Sequence, residues 1–276
     1  MNSVNTNVGA MVALQNLNKT NANLSEVQSR INTGLKVANA KDDGGIYAIA
    51  QRMRGDVRAY DAVSNSIDRS QSTVDVALAA GEAISDLLID MKEKALAASD
   101  ASLDADSRTA LNEDFTALRD QITTIVDNAT FNDVNLIDGS TAQITALANA
   151  DGTNTLDVSA EVMGLGTSGS VLAITGGSAV DTATNASTAL TNLETSINQL
   201  NSALARLGTG SKSLEIQNTF ISKIQDATEA GIGNLVDADL AKESSRLQAL
   251  QVQQQLGVQA LSIANSSPST ILGFFR

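Results

Sequence analysis

The sequence predicts a mainly α fold: an elongated antiparallel helical bundle with heptad-packed long helices, paired terminal helices and a small β-hairpin region at a surface tip. Three observations predict it. First, a heptad runs through residues 46–98. Its a row is Ile46, Met53, Tyr60, Ile67, Val74, Gly81, Leu88 and Ala95, and its d row is Ile49, Asp56, Val63, Ser70, Ala77, Ile84, Met91 and Ala98. Only Asp56, Ser70 and Gly81 break the apolar pattern, which is the signature of helix packed on helix. Second, the repeat returns at Leu193, Leu200, Leu207, Leu214 and Ile221, with Leu190, Ile197 and Leu204 in the d row. Third, aromatics make up 3% of the 276 residues, Trp is absent, and there is one proline, so long uninterrupted helices are permitted and a large aromatic core is not.

The first segment, about 5–36, spaces its apolar residues widely: Leu14, Leu17, Leu24, Val27 and Ile31. Asn and Thr are frequent between them, and both are weak helix formers. The expectation is a helix that is marginal alone and needs a partner. Gly34 and the run Lys41-Asp42-Asp43-Gly44-Gly45 mark a break, with Asp42 and Asp43 read as turn or cap residues rather than cation ligands. A long helix follows from Ile46 to Ser99. A turn and N-cap at Asp100-Ala101-Ser102-Leu103-Asp104 lead to a third helix bearing Leu111, Phe115, Leu118, Ile122 and Ile125 at alternating spacings of four and three.

Residues 131–139 enter an extended region, and 140–182 are rich in Gly, Ser, Thr, Ala and Asp. Short β-like runs at 144–147, 156–158 and 171–175 predict one or two hairpins. Disorder is the alternative reading of so polar a stretch. A second long helix is expected over 183–230, stopped by Gly231-Ile232-Gly233. A last helix over 237–265 carries Leu240, Leu247, Leu250, Leu256 and Leu261, and the tail places Leu272, Phe274 and Phe275 close together. A tail so apolar favours docking over fraying. The domain reading is 1–44, 45–139, 140–182, 183–232 and 233–276.

Charge and composition narrow the function. The net charge of −13 sits in the middle: residues 1–60 carry +3, 61–236 carry −16 and 237–276 carry 0. This disfavours nucleic acid as a partner and leaves ends that can pack against copies of themselves. No apolar run reaches 18 residues, so no membrane insertion is expected. The first residues lack the basic and apolar regions of a Sec signal, so a secreted chain would need another route.

There is no His and no Cys, which removes imidazole bases, thiolate nucleophiles and the commonest metal ligands. No catalytic, cofactor or metal residues are expected. Gly208-Thr209-Gly210-Ser211-Lys212-Ser213 has the wrong glycine spacing for a phosphate loop and reads instead as an irregularity in the helix. Ser and carboxylates remain as the only raw material for an enzyme, and they form no site-like cluster.

Several segments together resemble bacterial flagellin. Thr33-Gly34-Leu35-Lys36-Val37-Ala38-Asn39-Ala40-Lys41-Asp42-Asp43 is similar to the family's SGLRINSAKDD, and Phe131-Asn132 with Leu136 matches a second element. Asp237-Ala238-Asp239-Leu240-Ala241-Lys242-Glu243-Ser244, then Gln253 to Gly257, then Leu272 to Arg276 resemble its C-terminal elements. The likeness covers about 1–140 and 183–276. It implies terminal helices paired as the filament's inner tube, a bundle around it, and a short outward-facing middle. It implies a chain that self-polymerises into an extracellular filament, a passive propeller for swimming. Export would run through the flagellar type III channel without a cleaved signal, and the partners would be an export chaperone, the filament cap and the hook–filament junction proteins. The polymerisation contacts implied are Leu14, Leu17, Leu24, Val27, Ile31, Leu240, Leu247, Leu250, Leu256, Leu261, Leu272, Phe274 and Phe275. One departure stands out. Where many flagellins carry LQRVREL, a segment read by animal innate immune receptors, this chain has Leu88-Ile89-Asp90-Met91-Lys92-Glu93-Lys94, with an acid in place of an arginine. The competing reading is a soluble coiled-coil signalling or secretion-associated protein, which would fold as a stable dimer and not depend on its ends.

Overall fold

The computed structural model describes residues 6–273. Among these, the chain forms α1 (Val8–Thr33), α2 (Gly44–Ala98), α3 (Ala105–Asn128), β1 (Thr130–Phe131), β2 (Val134–Asn135), β3 (Gln143–Leu147), β4 (Thr155–Ser159), α4 (Ala183–Val236) and α5 (Leu240–Gly273). They divide into two compact units, residues 1–55 with 227–276, and residues 56–226. The division falls inside α2 and inside α4.

In the first unit α1 and α5 run antiparallel. Asn7 Nδ2 donates to Ala264 O at 2.6 Å, Gln254 Nε2 to Asn21 Oδ1 at 2.8 Å, and Arg30 Nη1 to Glu243 Oε1 at 3.3 Å. The helices are bounded by their caps. The Asn7 side chain accepts from Ala10 N, and Gly34 ends α1 in the left-handed conformation at φ 72°. Asp42 Oδ2 accepts from the amides of Ala38 and Asn39, and Asp43 Oδ1 from those of Gly45 and Ile46, so the two acids shape the turn and start α2 as the sequence predicts. A short antiparallel bridge joins Leu35 to Asp237, beside Lys36 N donating to Val236 O at 2.6 Å. Val27, Val37, Ala50, Ile232, Val236 and Leu250 are buried here.

The core of the second unit is the heptad seam. Val63, Ile67, Val74, Ala77, Ile84, Leu88, Met91, Ala95 and Ala98 of α2 are buried with Leu193, Leu200, Leu207, Leu214 and Ile221 of α4 and with Phe115, Ile122 and Val126 of α3. Two hairpins lie on this seam. In the first, Asn132 and Asp133 both take positive φ, 50° and 62°, which a two-residue turn between β1 and β2 demands and which Asn and Asp tolerate. In the second, β3 pairs with β4 from Gln143↔Ser159 to Leu147↔Thr155.

Four expectations need correcting. Residues 171–175 form no strand; they are coil in which Val171 N donates to Val162 O at 2.8 Å and Ala173 N to Ser196 Oγ at 2.9 Å, with Leu172 and Ile174 buried, and farther on Val180 is buried with its amide bonded to Asn112 Oδ1 at 2.7 Å. The segment 140–182 is thus packed and not disordered. Helix α4 runs through Gly231 and Gly233 instead of stopping there. A Cβ at Gly231 would stand 3.0 Å from Met53 Cε and one at Gly233 2.8 Å from Asp237 Oδ2, both movable ends of flexible side chains, while Ile232 and Val236 on the same stretch are buried. Finally, α4 is also unbroken across Gly208 to Ser213.

Candidate assembly surface

The α1–α5 pair has one closed side and one open side. The closed side holds Val27 and Leu250, each under a tenth exposed, and Leu17, which lies 3.2 Å from where a Cβ would sit on Gly257. The open side carries large apolar residues in water: Val8, Met11, Val12 and Leu14 on α1, and Leu240, Val252, Leu256, Val258 and Ile263 on α5. Val252, Leu256 and Ile263 fall on one stripe at helical spacing. Two antiparallel helices bury one seam each and leave the rest to another partner.

The contacts implied at the sequence level therefore divide. Leu14, Leu240 and Leu256 are exposed. Leu17, Leu24, Ile31, Leu247 and Leu261 are half-buried along the pair, and Val27 and Leu250 are consumed by the intrachain seam. The Leu272 side chain, Phe274 and Phe275 lie outside the described residues. Val12, Val252, Val258 and Ile263 are exposed on the same helices and are absent from the sequence-derived set. Their signal was available in the 252–256–263 spacing, but valines and an isoleucine among glutamines were outweighed by the leucine heptad.

One charged group in this unit is enclosed. Glu243 is 8% exposed, its Oε1 accepts from Arg30, and its Oε2 has no partner. Arg30 also bonds Glu26 Oε1 at 2.5 Å, so the guanidinium is shared between two acids. A buried pair of this kind is a weak source of stability and a strong constraint on register.

Among the described residues no three acidic side chains are placed to hold a metal ion. The Asp100 and Asp104 carboxyls lie below their ordinary range because amides and hydroxyls of Ser102 and Ser107 bond them, and the Arg206 guanidinium is raised by its bidentate bond to Glu161 at 2.6 and 2.5 Å. All three shifts stabilise the charged form that the group already has at neutral pH. No helix among the described residues is long and apolar enough to cross a membrane.

The family model for the bacterial flagellin N-terminal helical region matches residues 4–142, and the model for the C-terminal helical region matches residues 190–275. The chain belongs to the bacterial flagellin family. Flagellin FljM of Caulobacter vibrioides is 53% identical over 276 residues, covering 100% of this chain and 99% of that one. A flagellin of Brucella melitensis is 37% identical over 289 residues and covered in full on both sides. A solved structure assigned to a flagellar hook-associated protein of Vibrio parahaemolyticus shares the fold at TM-score 0.58 and 14% identity, over 71% of this chain and all of its own. As a flagellin, the chain is a subunit of the bacterial flagellar filament, in a short form with no large outer domain. The competing reading as a coiled-coil signalling protein ends here.

Proposed function

We propose that this flagellin polymerises through the open side of its terminal helix pair. The observation that carries this is the apolar stripe of α1 and α5 standing in water beside a seam already closed within the chain. Burying a Leu- or Val-sized side chain contributes about 1.5–3 kcal/mol, so even partial coverage of this stripe by neighbouring copies drives association. Leu14, Leu240 and Leu256 are its centre. Leu17, Leu24, Ile31, Leu247 and Leu261 extend it where they remain half-open, and Leu272, Phe274 and Phe275 would complete it. Heterologous contacts whose rotation does not close into a ring give an open filament, as this reading requires. The role is structural, with no enzymatic step. Residues 140–182 face outward in this reading. Export proceeds through the flagellar type III channel without a cleaved signal, served by an export chaperone, and assembly is completed by the cap and junction proteins.

The test is removal of the last ten residues. Wild-type protein at high concentration should show filaments by negative-stain microscopy, and the truncated chain should remain monomeric with its α2–α3–α4 core still folded by circular dichroism. Unchanged filament formation by the truncated chain would refute the reading.

A further inference from the structure

The chain has five methionines and neither Cys nor Trp, so the thioethers are its most oxidisable side chains. Their surroundings differ. Met91 and Met163 are fully buried in the core of the unit formed by residues 56–226. Met53 on α2 is half-buried, its Cε 3.0 Å from where a Cβ would sit on Gly231. Met1 lies outside the described residues. Met11 on α1 is the exposed methionine among the described residues, with 63% of its surface in water. Val8 and Leu14 lie one helical turn to either side of it and Val12 beside it, all exposed. Met11 therefore sits within the apolar stripe on the open side of the terminal helix pair.

Oxidation changes what that position can do. A thioether is apolar and flexible, and it fills irregular gaps between packed surfaces. A sulfoxide is polar and carries an oxygen that accepts hydrogen bonds. The side chains of Val8, Val12 and Leu14 have no donor to give it. Covering the sulfoxide with an apolar surface strips its oxygen of water and returns no partner, which opposes the contact.

We propose that Met11 is an oxidation site that controls assembly: a peroxide converts the thioether of a free subunit to the sulfoxide, and the sulfoxide keeps that subunit out of the filament. This rests on the filament reading and adds a chemical regulator to the same surface. In the step, a sulfur lone pair attacks one oxygen of hydrogen peroxide and the O–O bond breaks. The S–O bond of the sulfoxide forms, and the other oxygen leaves as water after taking the proton of the transferred one. Sulfur loses two electrons and the peroxide gains them. Once neighbouring copies cover the stripe, the sulfur is shielded, so the modification acts on subunits before they join.

Full-length monomer treated with hydrogen peroxide and followed by peptide mass spectrometry tests the site. Met11 should take up one oxygen at least about tenfold faster than Met91 and Met163. The oxidised protein should show a critical concentration for polymerisation raised about tenfold, with the circular dichroism of the monomer unchanged. Met11→Leu given the same peroxide should stay within about threefold of its own untreated value. Met1 remains in that variant, so the comparison isolates Met11. Met11→Gln should show the rise with no oxidant. Reductases specific for the two sulfoxide epimers, supplied with a dithiol, should restore assembly of the oxidised wild type, an arm that needs no substitution. Equal oxidation of Met11 and the buried methionines would overturn the proposal. So would unchanged assembly of the oxidised wild type, equal impairment of Met11→Leu by peroxide, or loss of helix in the oxidised monomer. The oxidation order is read on the monomer. The filament reading fails on different evidence, namely intact assembly after loss of the C-terminal ten residues.

Discussion

Gly208 and Gly210 stand two residues apart in α4 and meet different surroundings. A Cβ on Gly210 would lie 2.7 Å from Val158 Cγ1 and 3.2 Å from Cγ2, whereas one on Gly208 meets nothing within 4 Å. Val158 is buried on β4 and short, so it has no flexible end to swing aside. Alanine raises helix propensity at both sites by up to about 1 kcal/mol, but at Gly210 it also overpacks. Gly208→Ala should stabilise the chain by about 0.5–1 kcal/mol, and Gly210→Ala should destabilise it by about 1–3 kcal/mol. Urea unfolding of the two variants checks this, and equal shifts would contradict it. The same glycines read in sequence as a helix irregularity, because a string of letters does not show that one of them faces a strand. Asp90 supplies another residue-level expectation. It is exposed at the position where many flagellins hold an arginine, while its neighbours Leu88 and Met91 are buried. Innate-receptor activation should therefore be weak, and a cell reporter responding as strongly as it does to enteric flagellins would count against it.

The turn between α2 and α3 shows how an element boundary is set. Arg108 donates from Nε to Ala98 O and from Nη2 to Asp100 O, satisfying carbonyls at the end of α2. Asp100 Oδ1 accepts from the amide and hydroxyl of Ser102, and Asp104 caps α3 by accepting from the amide and hydroxyl of Ser107. These bonds, the backbone ones foremost, hold both carboxyls below the ordinary 3.8. A carboxyl whose folded value is depressed contributes stability above its unfolded value and loses it as pH falls through the folded value. The contribution of this turn should be full at pH 5 and above and decline below 3.8. Thermal melts from pH 7 to 3 should show Asp104→Ala below wild type at neutral pH, with the gap narrowing in acid. A gap that widened in acid would reverse the sign. Asp104 was readable as a cap because the residue type and its offset from the first helical turn form a local rule.

At the scale of the molecule, the sequence by itself determined the order of the helices, the two heptad seams and the family resemblance. The α2 range differs by only a residue or two from the expected one, and the five residues of the second leucine row are all buried. These features are legible because helix periodicity and caps are encoded within a few residues of where they act. The tertiary structure decided the rest. It carried α4 past Gly231 and Gly233, where burial of Ile232 and Val236 outweighs the low helix propensity of glycine. It turned 171–175 into coil, because the side chain that holds Ala173 comes from Ser196, a residue remote in sequence. It also divided the leucines of α1 and α5, closing Val27 and Leu250 inside the chain and leaving Leu14 and Leu256 in water. Periodicity marks a residue as apolar-facing. Which apolar face is already covered depends on where the partner helix lies, and only the folded chain supplies that.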